Sequence, residues 1–150
     1  MFAEISPAHT DFDVSVHFTE ADIFHAGDTL WNRPDPFIDY AAGGSIDGTI
    51  GAAEANVAKV TSEMMGIPGH GTLGHQADLL LSCDVLAQMR DKISALKKPG
   101  KSLAEVIAAK SAARTDDEWA SPSSGVPTLL LWCTGASEKS VLGHMRQEIC

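Results

Sequence analysis

A chain of 150 residues, 44% hydrophobic and 21% charged, has the composition of a soluble globular protein of one or at most two domains and excludes wholesale disorder. The formal charge of −9 falls entirely within residues 1–70, where eleven carboxylates face only Arg33 and Lys59. Such a segment repels phosphate backbones and anionic lipid, so neither nucleic acid nor a membrane surface is an expected partner. Three cysteines (Cys83, Cys133, Cys150) without a CxxC pair argue against a disulfide scaffold and against a cysteine zinc site. The opening Met1-Phe2-Ala3-Glu4 has neither the basic nor the apolar stretch of a signal peptide, so a cytoplasmic location is expected.

In chain order, apolar and polar residues alternate from 14 to 18 (Val14, Val16, Phe18), the period of a half-buried strand. Residues 21–26 read as a second short strand, ended by Gly27-Asp28 and joined to the first as a hairpin. Asn32-Arg33-Pro34-Asp35-Pro36 is irregular, because two prolines remove donors and restrict their predecessors. Gly43-Gly44-Ser45 precedes a helix on which Ile46, Ile50, Ala53, Val57 and Val60 share a face; with no basic residue nearby, the glycines serve the turn rather than a phosphate.

A short apolar run at 64–67 is predicted to end at Pro68-Gly69-His70-Gly71. The longest helical pattern spans 77–98, with Leu79, Leu80, Val85, Leu86, Met89, Ile93 and Leu96 on a broad apolar stripe. Ser102-Leu103-Ala104-Glu105 has capping-box spacing and opens a helix to about residue 110. Residues 121–125 form a linker. In the apolar run at 126–133, Leu129-Leu130-Leu131-Trp132 is either a replacement core strand or part of a tail.

Three polar groups are predicted on loops beside strands: His9, Asp28 and His70. Two imidazoles and a carboxylate are the ligand types of a catalytic zinc site. His17, His25 and His75 are read as packing or structural residues, His25 with a possible supporting role beside Asp28.

Ala-His-Thr-Asp at 8–11, Phe-His-Ala-Gly-Asp-Thr at 24–29, Pro-Phe-Ile-Asp-Tyr with Gly-Gly-Ser-Ile-Asp-Gly within 36–48, and Ile-Pro-Gly-His-Gly at 67–71 stand in one order and spacing. Together they resemble the C-terminal half of the metallo-β-lactamase-fold hydrolase superfamily. The resemblance implies an α/β fold: half of an αββα sandwich, one mixed sheet with helices on its outer face. It implies residues 1–119 as that half domain and 120–150 as linker and unassigned tail. It also implies zinc as cofactor, with His9 on a first metal, the catalytic Asp28 bridging two metals, and His70 on the second. The activity implied is attack of metal-activated water on an ester, amide, thioester or phosphodiester of a small-molecule substrate.

The superfamily's His-x-His-x-Asp-His element is absent from all six histidine contexts. The metal site is therefore expected to be incomplete and stand-alone activity doubtful. A sheet face without its partner is expected to favour self-association or a complementing N-terminal half. The alternative reading is a non-catalytic remnant, or a partner-binding fragment without metal-dependent activity.

Overall fold

The structure, a computed structural model, describes residues 1–5, 7–33 and 36–97. The helix expected over 102–110, the linker at 121–125, the apolar run at 126–133 and the boundary at 119 lie outside the described residues. The alternating stretch forms a strand over Asp13–Phe18 (β2), and a turn with Asp22 at φ 50° reverses the chain. The return strand, Ile23–Asn32 (β3), pairs antiparallel with β2, opposing Phe18 to Ile23 and Val16 to His25. A strand not read from the sequence, Phe2–Ile5 (β1), lies antiparallel on the other side of β2.

A single turn of 3-10 helix, Tyr40–Ala42, leads into helix Ile46–Val57 (α1). Ser45 caps α1: its hydroxyl accepts the Gly48 N–H at 3.0 Å, satisfying one of the free donors of the first turn. The chain then returns as strand Met65–Gly71 (β4), parallel to β3, and ends in helix Gln76–Lys97 (α2). The sheet is mixed, in the order β1-β2-β3-β4. Both helices pack on one face, where Phe24, Ala26 and Leu30 of β3 meet Val60, Met64 and Leu79. A second cluster joins the helices through Ile50, Ala53 and Leu86, with Cys83 packed against it. This is the α/β architecture expected of half an αββα sandwich.

Three local expectations are corrected. β3 does not stop at Gly27 but runs through Asp28 to Asn32. Pro68-Gly69 does not end the following run; β4 continues through it, because β4 closes the order of the sheet, where a missing N–H is tolerated. The apolar stripe of α2 is narrower than predicted: Leu79, Leu86 and Met89 are buried, whereas Leu80 is exposed.

The other face of the sheet has no helix among the described residues. The register places Val14, Val16, Phe18, Ile23, Met65 and Ile67 together there, with Val14, Phe18 and Met65 exposed. Among the described residues no helix is long and apolar enough to cross a membrane.

Candidate metal centre

His9, Asp28 and His70 come from three separate segments: the loop between β1 and β2, strand β3 and strand β4. Asp28 sits on a bulge. Between the pairs Gly27–Pro68 and Trp31–His70, β3 advances four residues while β4 advances two, and Gly27 takes φ 58° at its start. Extra residues in one strand bend it and re-aim its side chains. His25 serves this turn, since its Nδ1 accepts the Gly27 N–H at 3.0 Å. Its role is to hold the bulge that carries Asp28.

His9 lies in the loop between β1 and β2, fastened to the segment before α1. Asp39 N–H donates to the His9 carbonyl, Ser45 N–H to the Ala8 carbonyl and Asp11 N–H to the Ala42 carbonyl. The fit depends on glycine, because a side chain at Gly44 would collide with the carbonyl of His9 and one at Gly48 with that of Pro7. This loop approach, rather than a phosphate cradle, explains the glycines around Ser45. His70 is near the end of β4, its ring stacked on Trp31 at 3.9 Å between centroids and 25° between planes. Trp31 in turn donates its indole N–H to the Asp28 carbonyl at 3.1 Å.

The structure thus brings the three side chains together around the Asp28 carboxylate. His9 Nε2 is 3.8 Å from Oδ2, and His70 Nε2 is 3.5 Å from Oδ1. Only His9 lies on a loop; Asp28 and His70 lie within strands, which corrects the expectation that all three are loop-borne. The site opens toward solvent on the His70 side, where that side chain is 54% exposed against 15% for His9.

The tautomer of His9 is fixed by its neighbour. Its Nδ1 is 2.8 Å from the Phe37 carbonyl, which can only accept, so Nδ1 carries the proton. In the neutral ring Nε2 then presents a lone pair to Asp28 Oδ2. Two lone pairs facing each other repel unless a proton or a cation lies between them, and 3.8 Å is too long for a shared proton. A carbonyl on the far nitrogen is also the usual support of a metal-bound histidine. His17 and His75 stand apart from the three: His17 meets Phe24 edge-on, and His75 Nδ1 donates to the Met64 carbonyl at 3.2 Å.

Among the described residues, no group of three or more His, Cys, Asp or Glu side chains is disposed to hold a single ion. Each oxygen of Asp28 faces one imidazole, giving two pairs that share a carboxylate. Sequence reasoning missed Trp31, Phe37 and Gly69. Trp31 lies three residues past Asp28 on the same strand, and the register that sets it beside His70 depends on the bulge. Phe37 contributes through its backbone, which no side-chain motif reveals.

No family model matches the chain, and no curated protein matches it in sequence. Solved structures do match. The chain superposes on a stereoselective inverting sec-alkylsulfatase, Pisa1 from Pseudomonas sp., with a TM-score of 0.63 and 16% identity, covering 88% of this chain and 23% of that one. A double mutant of that sulfatase gives a TM-score of 0.66 at 16% identity, covering 95% of this chain and 24% of that one. The chain therefore spans about a quarter of the length of these structures. At this identity the likeness is one of fold, and it agrees with the α/β half sandwich described above.

Proposed function

We propose that this chain carries part of the metal site of a zinc-dependent hydrolase, with Asp28 bridging two ions, His9 on one and His70 on the other. The observation that carries the reading is the His9–Asp28 pair: an imidazole fixed by the Phe37 carbonyl so that its free nitrogen faces a carboxylate oxygen at 3.8 Å. The separations suit zinc. Ligand atoms at about 2.0–2.2 Å from a tetrahedral ion stand about 3.4 Å apart, close to the 3.5 and 3.8 Å found here.

Bound there, zinc supplies a Lewis acid that activates water and polarises the oxygen of an ester, amide, thioester or phosphodiester. This chain's own residues orient the ligands: Phe37 through its carbonyl, Trp31 through its stacked ring, and Gly69 by leaving room for the carboxylate. Catalytic zinc sites take three protein ligands, and two per ion is too few. Full activity then requires ligands from another half of the fold, and the chain alone hydrolyses slowly or not at all.

The second reading, a partner-binding fragment without metal-dependent activity, is favoured by the lack of any three-ligand group among the described residues and by the exposed apolar sheet face. Zinc titration calorimetry of the wild type and of Asp28→Ala separates the two. Micromolar or tighter binding that the substitution abolishes supports the metal site. Heat no greater in the wild type than in the variant leaves the fragment reading.

A further inference from the structure

The bulge that carries Asp28 is tied to helix α1 by two buried side chains that bind nothing at the metal site themselves. Thr29, the residue after Asp28, donates its hydroxyl proton to the Ala26 carbonyl at 2.7 Å, a bond that spans Gly27 and Asp28. Asn56, in the last turn of α1, donates from Nδ2 to the same hydroxyl oxygen, also at 2.7 Å. Ala26, Thr29 and Asn56 are all buried. The direction of the chain of bonds is fixed, because a carbonyl only accepts and a hydroxyl has one proton. Asn56 therefore has to present its amide nitrogen, not its oxygen, to Thr29.

That choice leaves an orphan. Asn56 is 1% exposed, and its Oδ1 has no hydrogen-bond partner. An unpaired buried acceptor is destabilising, and an apolar side chain on this helix would avoid it. What asparagine supplies in return is a donor that holds the Thr29 hydroxyl against the Ala26 carbonyl. The same helix begins beside the other ligand of the pair: the N–H of its N-cap, Ser45, holds the Ala8 carbonyl next to His9. One end of α1 thus fastens the loop of His9 and the other the bulge of Asp28.

We propose that Thr29 and Asn56 are positioning residues for Asp28, and that through them α1 sets the 3.8 Å approach of its carboxylate to His9. The inference rests on the metal reading above and adds to it the part of the fold that holds the shared ligand in place.

The test is amide hydrogen exchange of the zinc-free full chain, followed by zinc titration of the same variants. Thr29→Val keeps the shape of the side chain and removes the hydroxyl. The Gly27 N–H, which is bonded to His25 within the bulge, should then exchange at least about tenfold faster, with the Leu86 amide in α2 changing less. Zinc affinity should fall about 10–100-fold, as when a ligand loses its support. Thr29→Ser restores the hydroxyl and should recover both. Asn56→Ala should shift both in the same direction by a smaller factor, and it keeps the test valid if Thr29→Val fails to fold. The proposal is overturned if Gly27 in Thr29→Val exchanges as in the wild type or only in step with Leu86, which is the mark of a general loss of stability. It is equally overturned if Thr29→Val binds zinc as the wild type does, or if Thr29→Ser behaves like Thr29→Val. A wild type that takes up no zinc refutes the metal reading instead, and the exchange of Gly27 then decides the hold of Thr29 and Asn56 on its own.

Discussion

Gly69 gives the sharpest test of how Asp28 is held. It is exposed, and its φ is not one that demands glycine, so nothing in the sequence forbids alanine there. The structure does. A Cβ at this position would collide with Asp28 Oδ1 and stand 2.9 Å from both the Asp28 nitrogen and the Gly27 carbonyl carbon. Carbon atoms in contact prefer about 3.5–4.0 Å, so the shortfall is over half an ångström against backbone that is already fixed by the bulge. The side chain of Asp28 must swing away and the two strands must part. Overpacking of this kind costs about 1–3 kcal/mol. For a folded region of about a hundred residues, each kcal/mol lowers Tm by about 4–8 °C. Gly69→Ala should therefore melt well below the wild type in calorimetry, and its zinc affinity should fall at least about tenfold, as when a ligand loses its support. Asp28→Asn is the control, since it keeps the shape and removes the charge; it should lose zinc without the drop in Tm. A Gly69→Ala protein with wild-type Tm and wild-type zinc titration would refute the reasoning.

Nitrogen-15 NMR at neutral pH should find His9 protonated on Nδ1 and His25 on Nε2, opposite tautomers set by the Phe37 carbonyl and the Gly27 N–H; the same tautomer in both would contradict the placement of His9. Trp31→Ala removes the ring under His70 and the N–H to the Asp28 carbonyl, and zinc affinity measured by competition with a chelator should fall about 10–100-fold, with Trp31→Phe recovering part of it. Burial, with Glu54 and Asp84 nearby, raises the Cys83 thiol above its ordinary value of 9.0. The folded state holds that proton more tightly than the unfolded chain, so the stabilisation is complete below pH 9 and is lost as pH rises through the folded value; Cys83→Ala should flatten this alkaline decline in denaturant titrations. The exposed sheet face carrying Val14, Phe18 and Met65 should drive self-association, which Phe18→Glu should relieve; a monomeric wild type in sedimentation at micromolar concentration would contradict it.

The residue types of the site were legible in the sequence, whereas their placement was not. His9, Asp28 and His70 could be singled out as ligand types set beside the expected strands, and they do converge. The hairpin and both helices followed from periodicity, because alternation at 14–18 and the helical stripes reflect burial on one face. What periodicity cannot carry is a change of register. The sequence 27–31 looks like the end of a strand because its burial pattern breaks; in the structure the break is the bulge, and the strand continues past it. Pro68-Gly69 looks like a terminator because local rules cannot tell that β4, among the described residues, stands last in the sheet order. Gly66 in β4 leaves room for the close approach of Leu79 of α2 and of the Gly74 backbone.

These misreadings share a cause that bears on the chemistry. A regular ladder would hold the Asp28 side chain perpendicular to the sheet, pointing either into the helix layer or out of the opposite face. Neither direction reaches a histidine on the β1–β2 loop and another near the end of β4. The extra residues in β3 turn the carboxylate toward the space between those two segments, and Gly69 in β4 leaves that space open. The carboxylate then meets one imidazole with each oxygen and shields neither from solvent completely. The shared carboxylate is thus fixed by the sheet, and the side of the cluster that stays open to solvent is the one that His70 occupies.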